Sequence, residues 1–150
     1  MTVANQEQCN NSKYALFIGR WQPIHIGHEY IIRKKLDEGE NVAIAVRDIP
    51  VSKSDPFPMD IRIKIIEAVF SEDVKSGRVK VFPIVDISSV NIGRGVGYDV
   101  NDIEVPAHIE LVSATEIRKR IIEGGTWRQY IPQTVIKIIE ENKVYLTLKL

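Results

Sequence analysis

The chain has 150 residues, of which 44% are hydrophobic and 27% are charged, and a chain of this length buries roughly 70% of its unfolded surface in one core. Twenty Lys and Arg balance twenty Asp and Glu, so the formal net charge is zero and the broad positive field of a nucleic-acid-binding or membrane-surface protein is excluded. No apolar run approaches the roughly 18 residues that span a bilayer, and the first residues lack a signal-peptide pattern. We therefore expect a soluble cytoplasmic protein.

Residues 1–12 are rich in Asn and Gln and contain little that a core would bury. They predict a disordered leader, followed by one domain over residues 13–150. Cys9 is the single cysteine and cannot form an internal disulfide, so packing must stabilise the fold.

Short apolar runs alternate with helical patterns in the first half of the domain. Strands are predicted at residues 14–18, 41–46 and 78–85, and helices between them at residues 28–36 and 59–70. The first apolar run fits a strand buried on both faces of a parallel sheet, and Gly39 is expected to end the first helix. This β-α-β-α-β order predicts an α/β fold, a Rossmann-like parallel sheet with helices on both faces. Ligands of such sheets bind beyond the carboxyl ends of the strands.

The second half is less regular. Residues 86–108 contain several glycines and are predicted to be mostly loop, and IELV at 109–112 is predicted to be a short strand. Helices are predicted from SATEIR to Gly124 and over residues 132–141. The alternating tail VYLTLKL predicts either an edge strand or a contact with a partner, such as a second copy in a homo-oligomer.

The segment GRWQPIHIGH, residues 19–28, follows the first predicted strand and places two histidines where a helix begins. At a spacing of three residues the imidazoles of His25 and His28 point the same way. Backbone N–H groups at a helix N-terminus bind anions, and Gly27 would let a phosphate approach the backbone. An isolated histidine pair is more often an ordinary polar loop feature, but the strand before it and the helix after it favour a polyphosphate site.

The segment SATEIR, residues 113–118, has two interpretations. Ser113 followed three residues later by Glu116 is the pattern of a capping box, which only begins a helix. The same helix N-terminus, with Thr115 and with Arg118 one turn later, also suits a phosphate.

Together the two segments resemble the GRFQPxHxGH and SxTEIR signatures of the HxGH nucleotidylyltransferase superfamily, nearest to the archaeal-type nicotinamide mononucleotide adenylyltransferases. The resemblance runs from about residue 14 to residue 142 and includes DPF at 55–57 and Arg62. The literal HIGH also occurs in class I aminoacyl-tRNA synthetases, and Ser52-Lys53-Ser54 faintly resembles their second motif. A chain of 150 residues leaves no room for a tRNA-reading apparatus.

The resemblance implies roles for individual residues. His25 and His28 would contact the nucleoside triphosphate and stabilise charge on the α-phosphate as pyrophosphate departs, and Arg118 would bind the β- and γ-phosphates. The remaining residues of the implied nucleotide site are Gly19, Arg20, Trp21, Gly27, Ser113 and Thr115.

Weaker signals concern the acceptor and the metal. Arg47 and Lys53 follow the second strand, and Arg94 lies among loop glycines, so each is a candidate for the acceptor's phosphate or a solvated loop residue. No His or Cys cluster suits zinc, and Mg²⁺ would arrive with the nucleotide and be held mainly by its phosphates. We expect Trp127 in the core and His108 on the surface.

The expected reaction transfers AMP from ATP to a mononucleotide such as NMN. Between PIVDI and SATEIR the chain is shorter than the resembled enzymes, which favours, as an alternative, a cytidylyltransferase acting on CTP and a small phosphorylated alcohol or phosphonate. A non-catalytic nucleotide sensor is the alternative from another class, and intact His25, His28 and Arg118 argue against it.

Overall fold

The computed structural model describes residues 13–94, 97–110 and 113–147, so the predicted leader lies outside the described residues. Three strands, β1 (Tyr14–Gly19), β2 (Asn41–Asp48) and β3 (Val79–Val85), pair in parallel in the order β1-β2-β3. The predicted α/β fold with a parallel sheet is confirmed, and the three strands predicted in the first half of the domain lie within a few residues of their expected bounds.

Helices connect the strands and follow them. Helix α1 (Ile26–Asp37) leads from β1 to β2, and α2 (Met59–Val69) with the short α3 (Ser71–Lys75) leads from β2 to β3. Three further helices come after the sheet: α4 (Ala107–Glu110), α5 (Ala114–Glu123) and α6 (Ile136–Glu141). Single 3₁₀ turns occupy Arg128–Tyr130, Gln133–Val135 and Lys143–Leu146. In the described residues no helix is long and apolar enough to cross a membrane.

Two helices end at the glycines that the sequence pattern indicates. Gly39, just beyond α1, has φ of +87°, and Gly124, at the end of α5, has φ of +74°. Residues with a Cβ rarely adopt this left-handed conformation, so glycine ends both helices at little cost.

The two faces of the sheet are covered unequally. On one face Val42, Ile44 and Val46 of β2 are fully buried and share a core cluster with the apolar residues of α1 and α2. Side chains alternate along a strand, so Leu16 and Lys80 project from the opposite face. Leu16 is 57% exposed and Lys80 is exposed. The expectation that β1 is buried on both faces is therefore wrong at Leu16, because α1 and α2 both pack against the face that carries Val42, Ile44 and Val46.

Two predicted strands differ from the structure. Residues 109–110 of the predicted IELV strand belong to the helical turn α4, in which the Ile109 N–H donates to the Pro106 carbonyl at 2.9 Å; residues 111–112 lie outside the described residues. The tail forms a 3₁₀ turn over Lys143–Leu146 instead of an edge strand, and residues 148–150 again lie outside. Short apolar runs have no periodicity that separates a strand from a helical turn.

A buried arginine on α2 joins three segments at the carboxyl end of the sheet. Arg62 is 1% exposed. Its Nε donates to the Phe57 carbonyl at 3.0 Å, and its Nη1 donates to the carbonyls of Arg20 and Arg47, each at 2.9 Å. These bonds hold the loop after β1 against the end of β2 and the segment before α2.

A buried glutamine reinforces the same junction. The Gln22 side chain is 3% exposed and pairs with the backbone of Phe57 through both of its polar atoms. Its Nε2 donates to the Phe57 carbonyl at 3.2 Å, and its Oε1 accepts from the Phe57 N–H at 2.9 Å. The loop after β1 is thus fixed by buried hydrogen bonds and not by regular secondary structure.

We predict that Arg62→Leu lowers the free energy of unfolding by about 3 kcal/mol, because it leaves buried carbonyl oxygens without donors. Arg62→Lys should recover little of the loss, since one ammonium cannot reproduce the planar guanidinium. Urea unfolding followed by circular dichroism measures the change. Lys64→Leu, an exposed position on the same helix, is the control and should change stability by about 0.5 kcal/mol or less. Wild-type stability of Arg62→Leu would contradict this account.

Candidate active site

A cleft with a volume of about 290 Å³ brings the two sequence motifs together. One wall comes from the loop after β1 and the start of α1, and the other from the start of α5. The lining residues are Arg20, Trp21, Gln22, His25, His28, Ser113, Ala114, Thr115 and Arg118. Seven of these nine are residues that sequence reasoning assigned to the nucleotide site, although the two segments are far apart in the chain.

The two histidines begin helix α1 as well as lining the cleft. His25 is the N-cap residue, and its Nδ1 accepts from the Gly27 N–H at 3.0 Å. Nδ1 of His28 accepts from the His25 N–H at 3.2 Å, which completes a capping box made of histidines. The two rings stack with centroids 3.7 Å apart and an interplanar angle of 22°.

Burial makes both imidazoles neutral. It lowers the pKa of His25 to about 4, and burial together with the neighbouring His25 lowers the pKa of His28 to about 3. A neutral imidazole carries one proton, and because Nδ1 accepts a hydrogen bond in both rings, that proton lies on Nε2. The cleft therefore has two stacked N–H donors that do not repel each other by charge.

The glycines of the first motif make room for side chains. A Cβ added to Gly27 would lie 2.9 Å from Cε1 of His25, and one added to Gly19 would lie 2.9 Å from Cε2 of Trp21. Sequence reasoning assigned Gly27 to the approach of a phosphate. That role stays a prediction, and the structure adds a second one, because Gly27 leaves room for the His25 imidazole to fold back over the first turn of α1.

Trp21 forms a wall of the cleft. It is 5% exposed, its Nε1 donates to the Ala45 carbonyl at 3.1 Å, and its ring meets His28 edge to face at a centroid distance of 4.8 Å. Little of its ring face is left for stacking on a base, so Trp21 contributes shape and holds His28 in place.

Helix α5 supplies the opposite wall. Ser113 is its N-cap, and its Oγ accepts from the Glu116 N–H at 3.2 Å. The Glu116 carboxylate pairs with Arg120 at 3.3 Å and does not return to the cap, so only half of the predicted capping box forms.

Arg118 joins the second motif to the first. Its Nη1 donates to the Gln22 carbonyl at 2.7 Å, and its Nη2 donates to the Thr115 hydroxyl at 3.4 Å. Burial lowers the pKa of Arg118 from its usual value, but an arginine remains charged at neutral pH. Two helix N-termini, two imidazole N–H groups and this cation make the cleft suited to an anion.

Sequence reasoning gave Gln22 no role of its own, and it noted Asp55 and Arg62 only as parts of a family pattern. Asp55 accepts from Arg20 Nη1 at 3.3 Å, at the mouth of the cleft. The sequence signals were the Gln22-Pro23 and Asp55-Pro56-Phe57 segments, which have no periodicity or metal-ligand spacing. Their importance follows from contacts between residues about 35 positions apart.

The three acceptor candidates are not among the residues that line the cleft. Arg47 pairs with Asp86, with 2.8 Å between Nη2 and Oδ1, at the ends of β2 and β3. Lys53 and Arg94 lie in exposed loops. As predicted, Trp127 is in the core at 2% exposure and His108 is exposed. Within the described residues no three His, Cys, Asp or Glu side chains cluster to hold a metal ion.

Comparison with known proteins gives one family match. A model of the cytidylyltransferase-like family matches residues 16–91, which is just over half of the chain. The matched stretch includes most of β1, the GRWQPIHIGH segment, β2, the buried Arg62 and β3, and it ends before SATEIR.

Several relatives align with 85% of the chain, a larger part than the family model matches. The chain is 28% identical to the nicotinamide-nucleotide adenylyltransferase of Thermococcus sibiricus, over 85% of this chain and 83% of that protein. It is 29% identical to the proteins of the same name from Methanothrix thermoacetophila, over 85% of this chain and 89% of that protein, and from Methanococcus maripaludis, over 85% and 88%.

One solved structure shares part of the chain. It is the bifunctional NMN adenylyltransferase/ADP ribose pyrophosphatase of Francisella tularensis, solved with AMP and a manganese ion. The likeness has a TM-score of 0.42 and 29% identity, and it covers 47% of this chain and 22% of that protein.

The neutral histidines predict acid sensitivity. Between pH about 4 and pH about 6.5 the unfolded chain protonates both imidazoles whereas the folded chain does not, so the free energy of unfolding falls as the pH drops through this window. From pH 7.5 to pH 5.0 the wild type should lose about 4 kcal/mol more than the double variant His25→Asn/His28→Asn, about 2 kcal/mol for each imidazole. Urea unfolding at both pH values measures the difference.

Asparagine is the matched replacement, because its side-chain oxygen can still accept from the backbone at both capping positions. All other titrating groups are common to the two proteins. An identical pH dependence of the two proteins would mean that these imidazoles titrate normally in the folded state.

Proposed function

Because the chain belongs to the cytidylyltransferase-like family, we propose that this nucleotidyltransferase moves AMP from ATP onto a mononucleotide such as NMN and releases pyrophosphate. The relatives named nicotinamide-nucleotide adenylyltransferase, each matched over more than four fifths of its length, support the substrates. The observation that carries the proposal is the cleft in which His25 and His28 lie opposite the N-terminus of α5.

The proposed reaction is an in-line displacement at the α-phosphorus of ATP. An oxygen of the acceptor's phosphate forms a bond to that phosphorus, the bond to the oxygen bridging the α- and β-phosphates breaks, and pyrophosphate leaves with the electron pair. The reaction needs no covalent enzyme intermediate. The protein contributes by positioning the two substrates and by stabilising charge.

The two imidazoles act as fixed hydrogen-bond donors in this scheme. Their Nδ1 atoms are bound to the backbone of α1, so the rings have no freedom to turn. Each Nε2–H then stabilises negative charge that develops on the α-phosphate oxygens, at no cost of reorganisation. Neutral donors suffice, since the reaction moves no proton to the protein.

The triphosphate lies between the two walls of the cleft. Backbone N–H groups at the start of α5, the hydroxyls of Ser113 and Thr115, and Arg118 bind the β- and γ-phosphates, and Arg20 binds them at the mouth. The substrate is the Mg²⁺ complex of ATP, because Mg²⁺ prefers phosphate oxygens and water and the described residues offer it no cluster of ligands.

The acceptor's phosphate meets cations from the loops beyond the strands. Arg47, Lys53 and Arg94 are the proposed contacts. Arg47 lies in the last two residues of β2, and Lys53 and Arg94 lie in the loops that follow β2 and β3. The balanced net charge of the chain favours small phosphorylated substrates over nucleic acid. A cytoplasmic location, where both nucleotides are available, completes the proposal.

A second candidate is a CTP-dependent transfer to a small phosphorylated alcohol or phosphonate. The alignment with the Thermococcus sibiricus protein is 156 positions long and includes 85% of the 150 residues of this chain, which is about 127 residues. About 29 positions of that adenylyltransferase therefore have no counterpart in this chain. A shorter chain favours a smaller acceptor pocket, and the family description favours CTP.

Pyrophosphate release with ATP and with CTP, each across NMN, phosphorylated alcohols and phosphonates, separates the candidates. We expect turnover with ATP and NMN. Turnover only with CTP and a small acceptor would replace the first candidate by the second. Binding of ATP with no pyrophosphate release from any acceptor would identify a nucleotide sensor.

His25→Asn and His28→Asn should each lower kcat by about 10² to 10³, because each removes one Nε2–H donor from the developing charge. Asparagine preserves the cap of α1, so the loss does not come from unfolding, and circular dichroism checks this. His108→Asn replaces an exposed histidine outside the cleft and is the control, with wild-type turnover expected. Wild-type turnover of both cleft variants would exclude the two histidines from the reaction.

Arg118→Ala should weaken the binding of ATP more than that of AMP, because the proposed contact is with the β- and γ-phosphates. Arg118→Lys should recover only part of the affinity, since lysine lacks the planar fork. Titration calorimetry measures both, and Lys119→Ala, an exposed neighbour on the same helix, is the control. Equal losses for ATP and AMP would remove Arg118 from the triphosphate site.

A further inference from the structure

An acidic residue lies at the mouth of this anion-binding cleft. Oδ1 of Asp55 is 3.3 Å from Nη1 of Arg20, which lines the cleft, while Asp55 itself does not line it. The two side chains differ in exposure, with 53% for Arg20 and 13% for Asp55. A carboxylate in this place would ordinarily repel phosphate, so its presence requires a reason.

Asp55 is held rigidly. Its N–H donates to the carbonyl and to the hydroxyl of Ser52, each at 3.2 Å, and the Ser52 N–H donates back to the Asp55 carbonyl at 3.1 Å. Oδ2 of Asp55 accepts from the Ser54 hydroxyl at 3.2 Å. Two residues later, Phe57 is clamped by Gln22. Oδ1 is thus a fixed point to which the long Arg20 side chain is attached.

Asp55 also acts electrostatically on the second arginine of the cleft. Burial lowers the pKa of Arg118, and the Asp55 carboxylate opposes that shift, whereas Arg20 adds to it. Without the Asp55 carboxylate, less negative charge would offset the repulsion between Arg20 and Arg118 in this partly desolvated cleft. The carboxylate therefore makes it less costly to keep both arginines charged and close together before a ligand binds.

From this arrangement we propose that Asp55 is a positioning residue that holds Arg20 ready for the triphosphate, an inference that rests on the proposed function. Arginine has five N–H donors, and Asp55 engages only Nη1, so the remaining donors stay available for phosphate oxygens. Ordering a long side chain before the ligand binds removes that entropic cost from binding. Asp55 acts through Arg20 and does not itself touch phosphate.

The first test measures binding without acceptor or turnover. Asp55→Ala should weaken the binding of ATP and of inorganic tripolyphosphate about 3- to 10-fold in titration calorimetry, and it should leave adenosine binding unchanged. Asp55→Asn should lose less, because its side-chain oxygen still accepts from Arg20. Asp60→Ala, which removes an exposed acid in the first turn of α2, controls for the loss of one negative charge.

The second test asks whether Asp55 acts through Arg20. In the Arg20→Ala background, Asp55→Ala should have no further effect on tripolyphosphate affinity, so the two losses should not add. Equal losses in both backgrounds would mean that Asp55 only supports the loop, and tighter binding by Asp55→Ala would mean that it repels the ligand. Either result overturns the proposal. Urea unfolding checks that each variant folds.

The outcome is separable from that of the proposed function. Coupling between Asp55 and Arg20 in tripolyphosphate binding, with no pyrophosphate release by the wild type, would refute the transferase and keep the positioning role. Turnover by the wild type without such coupling would refute the positioning role alone.

Discussion

The site depends on a buried positive charge that backbone carbonyls hold in place. The Arg62 guanidinium is almost fully buried, and backbone carbonyls of Arg20, Arg47 and Phe57 satisfy it. Burying an arginine is unfavourable unless its donors are used, so the three segments must keep these positions for the fold to be stable. The hydrogen bonds that stabilise the fold at Arg62 therefore also fix the geometry of the loop after β1.

The two histidines likewise have both a structural role and a place in the cleft. One nitrogen of each ring caps helix α1, and this contact decides that the other nitrogen carries the proton. Burial lowers both pKa values far enough that the rings stack as neutral groups at physiological pH. A capping interaction that is ordinarily only structural here sets the tautomer and the direction of two donors.

Long-range hydrogen bonds assemble the cleft from segments that have no regular structure of their own. Arg118 reaches the Gln22 carbonyl across 96 positions of sequence, and Gln22 in turn clamps Phe57. Loss of any one of these bonds would affect both walls. For this reason substitutions that test function must keep the capping and clamping atoms, as asparagine does at the two histidines.

The sequence by itself determined the features that local chemistry controls. Apolar runs predicted the three strands, Gly39 and Gly124 marked helix ends because they accept a left-handed backbone, and Ser113 marked an N-terminus through its hydroxyl. The two motifs predicted an anion site, since their residue types and their places beside helices carry that chemistry without reference to the rest of the chain.

Only the tertiary structure decided the features that depend on distant partners. Ile109 and Glu110 belong to a helical turn and not to a strand, because a run of four residues has too little periodicity to specify either. Gly27 makes room for a ring and Trp21 forms a wall, which no spacing rule reveals. Asp55 gains its significance from Arg20, a contact that exists only after α2 brings its loop beside the first motif. Sequence specifies which groups are present, whereas packing determines which of them meet.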